Sequence, residues 1–299
     1  MVATAQTEAT FDALWTSYRR NLVARRRSPA TIAGKDYTYR LWGAYRTAQG
    51  WPDEPASWQR AEVEQWIAHL LATKAPATAA NNYRILHSFL TWLVEEEELE
   101  QSPMRRMRAP NVPLVPPAVV NADTLGRLLA AAKGRGFEER RDTALILLLA
   151  STGCRRGEAV GLHVGDVDVV QGFATVDGKS GQRTVPLTPA VCSAIDRYLR
   201  VRSAHRRAGS SALWLGHRGI LTGNGCLQMV QRRAREAGVT TRLYPHLLRH
   251  GATHALLAAG VSELDVCTLL GWTSTNMLQR YGASMRSERA IASYRKLFG

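Results

Sequence analysis

The sequence predicts a mainly α-helical protein with one small antiparallel β-sheet, divided into an all-helical N-terminal domain and a larger α+β domain. Three observations predict it. Apolar residues recur at helical spacing through most of the chain. Five prolines crowd residues 102–119, which no helix interior tolerates. One stretch, "GFATVDGKSGQRTVPL", sets β-rich segments on either side of "DGKSGQ", the signature of a hairpin or longer β-turn. The divisions fall at 1–108 for the first domain, 109–119 for a proline-rich linker and 120–299 for the second.

In the first domain, "FDALWTSYRRNLVARR" carries Leu14, Tyr18 and Leu22 four residues apart, a helical stripe. A second helix runs through "SPATIAGKDYTYRLWGAYRTAQG", with Ser28 and Pro29 as start signals and Gly50 as the stop. "RAEVEQWIAHLLATK" and "TAANNYRILHSFLTWLVEEEEL" add two more amphipathic helices, and the acidic run 95–98 reads as a solvated helix end. In the second domain "NADTLGRLLAAAKG" and "ERRDTALILLLASTG" are helical, each closed by glycine. After the hairpin, helices return in "PAVCSAIDRYLRVRS", "LQMVQRRAREAG", "PHLLRHGATHALLAAG" and "SELDVCTLLG".

Charge narrows the partner. The chain carries a formal net +14, and residues 118–299 hold 25 Lys and Arg against 13 Asp and Glu. Arginine dominates, and its planar fork matches phosphate oxygens. This balance points to a polyanion, nucleic acid before membrane. The longest apolar run, "ALILLLA", is far too short to span a bilayer, and the first residues lack the pattern of a secretory signal. Cys154, Cys192, Cys226 and Cys267 stand far apart with no C-x-x-C pair, which argues against a structural zinc site or a disulfide framework and for a reducing cytoplasm.

Four short stretches carry candidate chemistry. In "STGCRRGEAVGL" Arg155 opens a helix with Glu158 three residues on; the arginine can reach a phosphate while the carboxylate orients it, although R-x-x-E is also the spelling of a surface ion pair. In "DGKSGQRTVPL" Lys179 sits on a glycine-flanked turn that can lower an ammonium into a groove, or is simply a solvated turn lysine. In "YPHLLRHGATHAL" His246 and Arg249 share one helix face and converge on one anion, whereas His250 and His254 are read as facing elsewhere. In "LLGWTSTNMLQRYG" Trp272 and Tyr281 stand nine residues apart, where packing alone is a sufficient use for each. No H-E-x-x-H and no carboxylate cluster suited to magnesium occurs, so neither metal nor cofactor is expected.

Taken together, the order and spacing of "TGCRRGEAVGL", "GKSGQRTVPL", "HLLRHGATHALLAAG" and "LLGWTSTNMLQRYG" resemble the tyrosine recombinase (phage integrase) family, including its Xer-like and Cre-like members. The resemblance implies a helical core-binding domain followed by a catalytic domain. It also implies a site-specific recombinase that cleaves and rejoins DNA through a 3′-phosphotyrosyl intermediate and a Holliday junction. Tyr281 would be the nucleophile, Arg155 and Arg249 would bracket the phosphate, Lys179 would protonate the leaving oxygen, and His246 would assist proton transfer at the tyrosine oxygen or donate to the phosphate. Trp272 replaces a histidine common in the family and donates to the phosphate, while Glu158 supports the site from behind. The implied partner is double-stranded DNA with short inverted repeats, bound by a protein that is monomeric when free and tetrameric on synapsed DNA. Only about ten residues precede the first helix, which leaves no room for a separate arm-binding domain. The implied setting is the cytoplasm, the protein being associated with a bacterial nucleoid or encoded by a phage or mobile element. At the tail, Ala290, Ile291, Tyr294, Leu297 and Phe298 fall at helical spacing and form an apolar face suited to a neighbouring protomer. A type IB topoisomerase, or a DNA-binding regulator with an idle site, are the alternative readings.

Overall fold

The structure, a computed structural model, describes residues 9–113, 119–178 and 181–274, together with Leu278, Ile291, Tyr294, Arg295 and Phe298. It resolves into two units, Met1–Leu114 and Val115–Gly299. The first contains α1 (Phe11–Ala24), α2 (Pro29–Gln49), α3 (Arg60–Thr73) and α4 (Pro76–Glu95). Local chemistry sets their ends. The Ser28 hydroxyl accepts from Thr31 N at 3.2 Å, Pro29 fills the first helical position where its missing N–H costs nothing, and α2 closes at Gly50. The acidic run after α4 is exposed, as expected.

The apolar stripes of these helices meet in an aromatic core. Trp42 is fully buried, its ring 5.1 Å from those of both Trp58 and Trp66. Phe11, Trp15 and Tyr18 of α1 pack on Phe89 of α4. Side chains of this size contribute about 1.5–3 kcal/mol each when fully buried. Such a density of rings lets a small unit close a stable core.

The second unit runs α5 (Ala122–Ala131), α6 (Phe137–Thr152), α7 (Arg156–Val160), β1 (Val167–Asp168), β2 (Phe173–Gly178), β3 (Gly181–Pro186), α8 (Pro189–Arg202), α9 (Gly223–Glu236), α10 (Pro245–Ala258) and α11 (Glu263–Leu270). Its axis is α6, where Ala144, Leu145, Ile146, Leu148 and Leu149 have no exposed surface. A helix apolar on every side must be surrounded, and α6 packs against both α8 and α10. The strands form one antiparallel sheet in the order β1-β2-β3, with Ala174 opposite Val185, Val176 opposite Arg183 and Gly178 opposite Gly181. The predicted hairpin is therefore present; Lys179 and Ser180, between its strands, lie outside the described residues.

Two details depart from expectation. β1 pairs Val167 with Ala174, a two-residue strand too short for any sequence period to reveal. α5 stops before Gly134, with Ala132 as its C-cap. Lys133 N bonds to Ala130 O, which tightens the last turn, and Ala132 is fully buried, so packing ends the helix before glycine is needed. Among the described residues no helix is long and apolar enough to cross a membrane. Of the tail face, Ile291, Tyr294 and Phe298 are helical and more than half exposed, while Ala290 and Leu297 lie outside the described residues.

Candidate active site

The C-terminal end of α6 begins the site. Gly153 closes the helix at φ +61°, and a Cβ there would stand 2.4 Å from Leu270 Cδ2, so both the left-handed conformation and the close approach require glycine. Two residues on, Arg155 caps α7 in extended conformation. Glu158 Oε2 accepts the Arg155 backbone N–H at 2.8 Å, and its Oε1 accepts Arg155 Nη1 at 2.7 Å. The same carboxylate thus caps the helix and fixes the guanidinium. Arg155 Nη2 reaches Gly271 O at 2.9 Å, which ties α7 to the turn after α11.

Glu158 is no surface partner; it is 5% exposed. Burial by itself would raise its pKa, but hydrogen bonds from Arg183 and Arg155 outweigh that and hold it at about 2. It is a fixed anion.

Arg249 approaches from α10 and is 1% exposed. Its Nη1 donates to Gly153 O at 2.6 Å and its Nη2 to Leu270 O at 2.8 Å. The guanidinium lies 5.1 Å from the centre of the Trp272 ring, within cation–π range. Desolvation, then repulsion from Arg155, lowers its pKa to about 10, still far above neutrality. One turn earlier His246 keeps an exposed edge, yet desolvation followed by the charges of Arg249 and Arg155 depresses its pKa below the ordinary value. Its neutral form is favoured at pH 7.

The expectation for His250 is corrected. Its ring lies 4.6 Å from that of His246, edge to face. Residues at i and i+4 differ by only about 40° around a helix, so the two share a side.

Arg155, Glu158, Arg249 and Trp272 therefore come together around the junction of α6, α7, α10 and α11, with His246 beside them. Lys179 and Tyr281 lie outside the described residues. Arg155 and His246 also line a cleft of about 560 Å³ with Arg156, Gln231, Arg242 and Tyr244. A cavity of about 450 Å³ at the other end of α6, lined by Lys133, Arg140 and Arg197 among others, contains none of the predicted site residues. Among the described residues no group of three or more His, Cys, Asp or Glu side chains is gathered as metal ligands.

Sequence reasoning missed Arg183 on β3, whose Nη2 donates to Glu158 Oε2 at 2.7 Å. A signal existed. Arg183 shares its strand face with buried Val185, and an arginine on the inward face of a strand needs a buried acceptor. The resulting cluster pairs Arg155 and Arg183 with one carboxylate, while neighbouring Arg249 bonds to the Gly153 and Leu270 carbonyls and has no carboxylate partner among the described residues. It carries surplus positive charge.

Residues 118–288, a span that includes Lys179 and Tyr281, match the Phage integrase family. Tyrosine recombinase XerD of Bifidobacterium longum is 31% identical over 254 residues, covering 81% of this chain and 82% of that protein. A Tn1549 transposon integrase in complex with transposon right end DNA has a TM-score of 0.80 at 17% identity, covering 97% of this chain and 100% of that one. A lambda integrase tetramer bound to a Holliday junction has a TM-score of 0.74 at 17% identity, covering 92% and 80%. At such identity the two structures show a shared fold, mainly α with the small sheet. The family match and the relative similar over most of its length show that this chain belongs to the phage integrase family, the tyrosine recombinases.

Proposed function

We propose that this site-specific recombinase cleaves and rejoins DNA with Tyr281 as nucleophile, Lys179 as general acid, and Arg155, Arg249 and Trp272 as the cradle of the scissile phosphate. The observation that carries this reading is the unbalanced cluster: Arg155 and Arg183 share Glu158, while Arg249 bonds to two backbone carbonyls and has no carboxylate partner among the described residues. Positive charge fixed in place before substrate arrives stabilises a phosphate, and more strongly the phosphorane that forms from it.

In this reading the Tyr281 oxygen bonds to phosphorus as the bond to the 5′-oxygen breaks. His246, biased to its neutral form, takes the phenolic proton, and Lys179 gives one to the departing oxygen. The products are a 3′-phosphotyrosyl link and a free 5′-hydroxyl. Trp272 Nε1–H only donates, so it binds a phosphate oxygen and leaves proton transfer to the other two. A 5′-hydroxyl from a second strand then reverses the attack, and two such exchanges pass through a Holliday junction without a nucleotide triphosphate.

The partner is double-stranded DNA with short inverted repeats, met by four protomers on two duplexes. The basic second half and the exposed arginines 25–27 support DNA contacts from both units, residues 1–108 acting as the core-binding domain and 120–299 as the catalytic one. Exposed Ile291, Tyr294 and Phe298 support a tail docked on the next protomer. The place of action is the bacterial cytoplasm, where such DNA resides.

The experiment is covalent trapping. Incubation with a randomised duplex library, denaturation in SDS and sequencing of attached strands yields the target site. Tyr281→Phe is expected to lose the adduct and keep duplex binding; an SDS-resistant adduct in that variant overturns the nucleophile assignment.

A further inference from the structure

Arg183 occupies β3 with its side chain 13% exposed. Besides Glu158 Oε2, it donates through Nε to Leu269 O at 3.1 Å, near the end of α11. Because the other Glu158 oxygen holds Arg155, one carboxylate and one guanidinium join α7, the β2–β3 hairpin and α11.

Two glycines record how closely the neighbouring backbones are laid on this pair. A Cβ on Gly178 would stand 2.6 Å from Glu158 Oε1, and a Cβ on Gly271 would stand 2.8 Å from Arg183 Nη1. Gly178 immediately precedes Lys179, and Gly271 immediately precedes Trp272. The strand that leads into the lysine and the turn that leads into the indole thus rest on the same ion pair.

We infer that Arg183 is a positioning residue for strand cleavage: through Glu158 and the Leu269 carbonyl it holds the hairpin bearing Lys179 and the turn bearing Trp272 in register with Arg155. Among the described residues its hydrogen-bond partners are a carboxylate and a carbonyl, and its remaining nitrogen, Nη1, is buried, so its effect on the phosphate passes through its neighbours. Arginine is needed there because a planar fork serves two separated acceptors, whereas an ammonium on a lysine stem serves one of them. The inference rests on the reading of Lys179 and Trp272 as site residues.

The test measures single-turnover adduct formation on the duplex recovered by covalent trapping, with affinity for that duplex measured by gel shift. Arg183→Met is expected to slow cleavage by about 10–100-fold, the scale of a misplaced catalytic group, while the dissociation constant stays within about threefold. Arg183→Lys, which keeps the charge beside Glu158, recovers part of the rate and decides the matter if the methionine variant fails to fold. The Glu158→Gln, Arg183→Met double variant is expected to be no slower than the slower single variant, because the two residues act as one unit. A wild-type rate in both Arg183 variants, losses that multiply in the double variant, or a rate loss explained by weakened DNA binding would each overturn the positioning role. A duplex with a 5′-bridging sulfur separates this from the underlying reading. If it fails to restore Lys179→Ala, the lysine is not the acid, yet the coupling of Arg183 to Glu158 is judged by its own cycle.

Discussion

The two ends of α6 carry clusters of arginine and carboxylate that differ in their balance. Near the N-terminal end, Arg141, Arg232 and Arg233 meet Glu138, Asp142 and Glu236, and the fully buried Asp142 pairs with all three arginines. At the C-terminal end, Arg155 and Arg183 share Glu158, and Arg249 beside them has no carboxylate partner among the described residues. Taking an ion out of water costs several kcal/mol, which a well-paired counter-ion offsets. The first cluster is closed and asks for nothing further. The second keeps surplus positive charge among the described residues, which in the proposed reading an entering phosphate balances. In the proposed reading, cluster balance separates charge that serves the fold alone from charge that also serves chemistry.

The largest expected effect tests that separation directly. Arg155→Ala should slow adduct formation by about 10²–10³-fold, the usual cost of removing a preorganised donor, with a smaller fall in the urea midpoint than substitution of Asp142 brings. A variant that loses stability and keeps its cleavage rate would break the contrast. At the closed end the pattern should invert. Asp142→Asn leaves three arginines short of their shared anion and should cost about 3–5 kcal/mol of stability, read as a lowered urea midpoint, while the protein that remains folded cleaves normally.

The acid response sharpens the open cluster. The folded pKa of Glu158, about 2, lies below the ordinary 4.5, so its stabilisation is complete above pH 4.5 and is lost as the pH falls through 2. The linked free energy is on the order of 3 kcal/mol at neutral pH. Glu158→Gln should flatten the stability profile in that window, and an unchanged slope would show that its partners do not hold the carboxylate. The smallest expected effect is none: EDTA should leave the single-turnover rate unaltered, because in the proposed mechanism guanidiniums supply the charge at the phosphate. Activity lost in EDTA and restored by magnesium would count against that role.

Much of this was legible along the chain. Ser28, Pro29 and Gly50 mark α2 because caps and φ preferences act within a few residues. Arg155 with Glu158, and His246 with Arg249, are short-range spellings that the helices bring to one place. The misplacement of His250 was avoidable, since its ring contact with His246 is one helical turn away. Arg183 was harder to see, because its partners Glu158 and Leu269 lie 25 and 86 residues distant. Nothing in "GQRTVPL" says which carboxylate waits on the other side.

What the sequence by itself determined are the helices, the hairpin, the concentration of arginine in the second half and the order of the motif residues. Periodicity, capping and turn chemistry are local, so they survive without knowledge of the fold. Tertiary structure alone decided which arginines are cancelled and which are left in surplus. Charge balance depends on which side chains share an interior, and residues far apart in the chain meet there only after α6, α7, β3, α10 and α11 have packed.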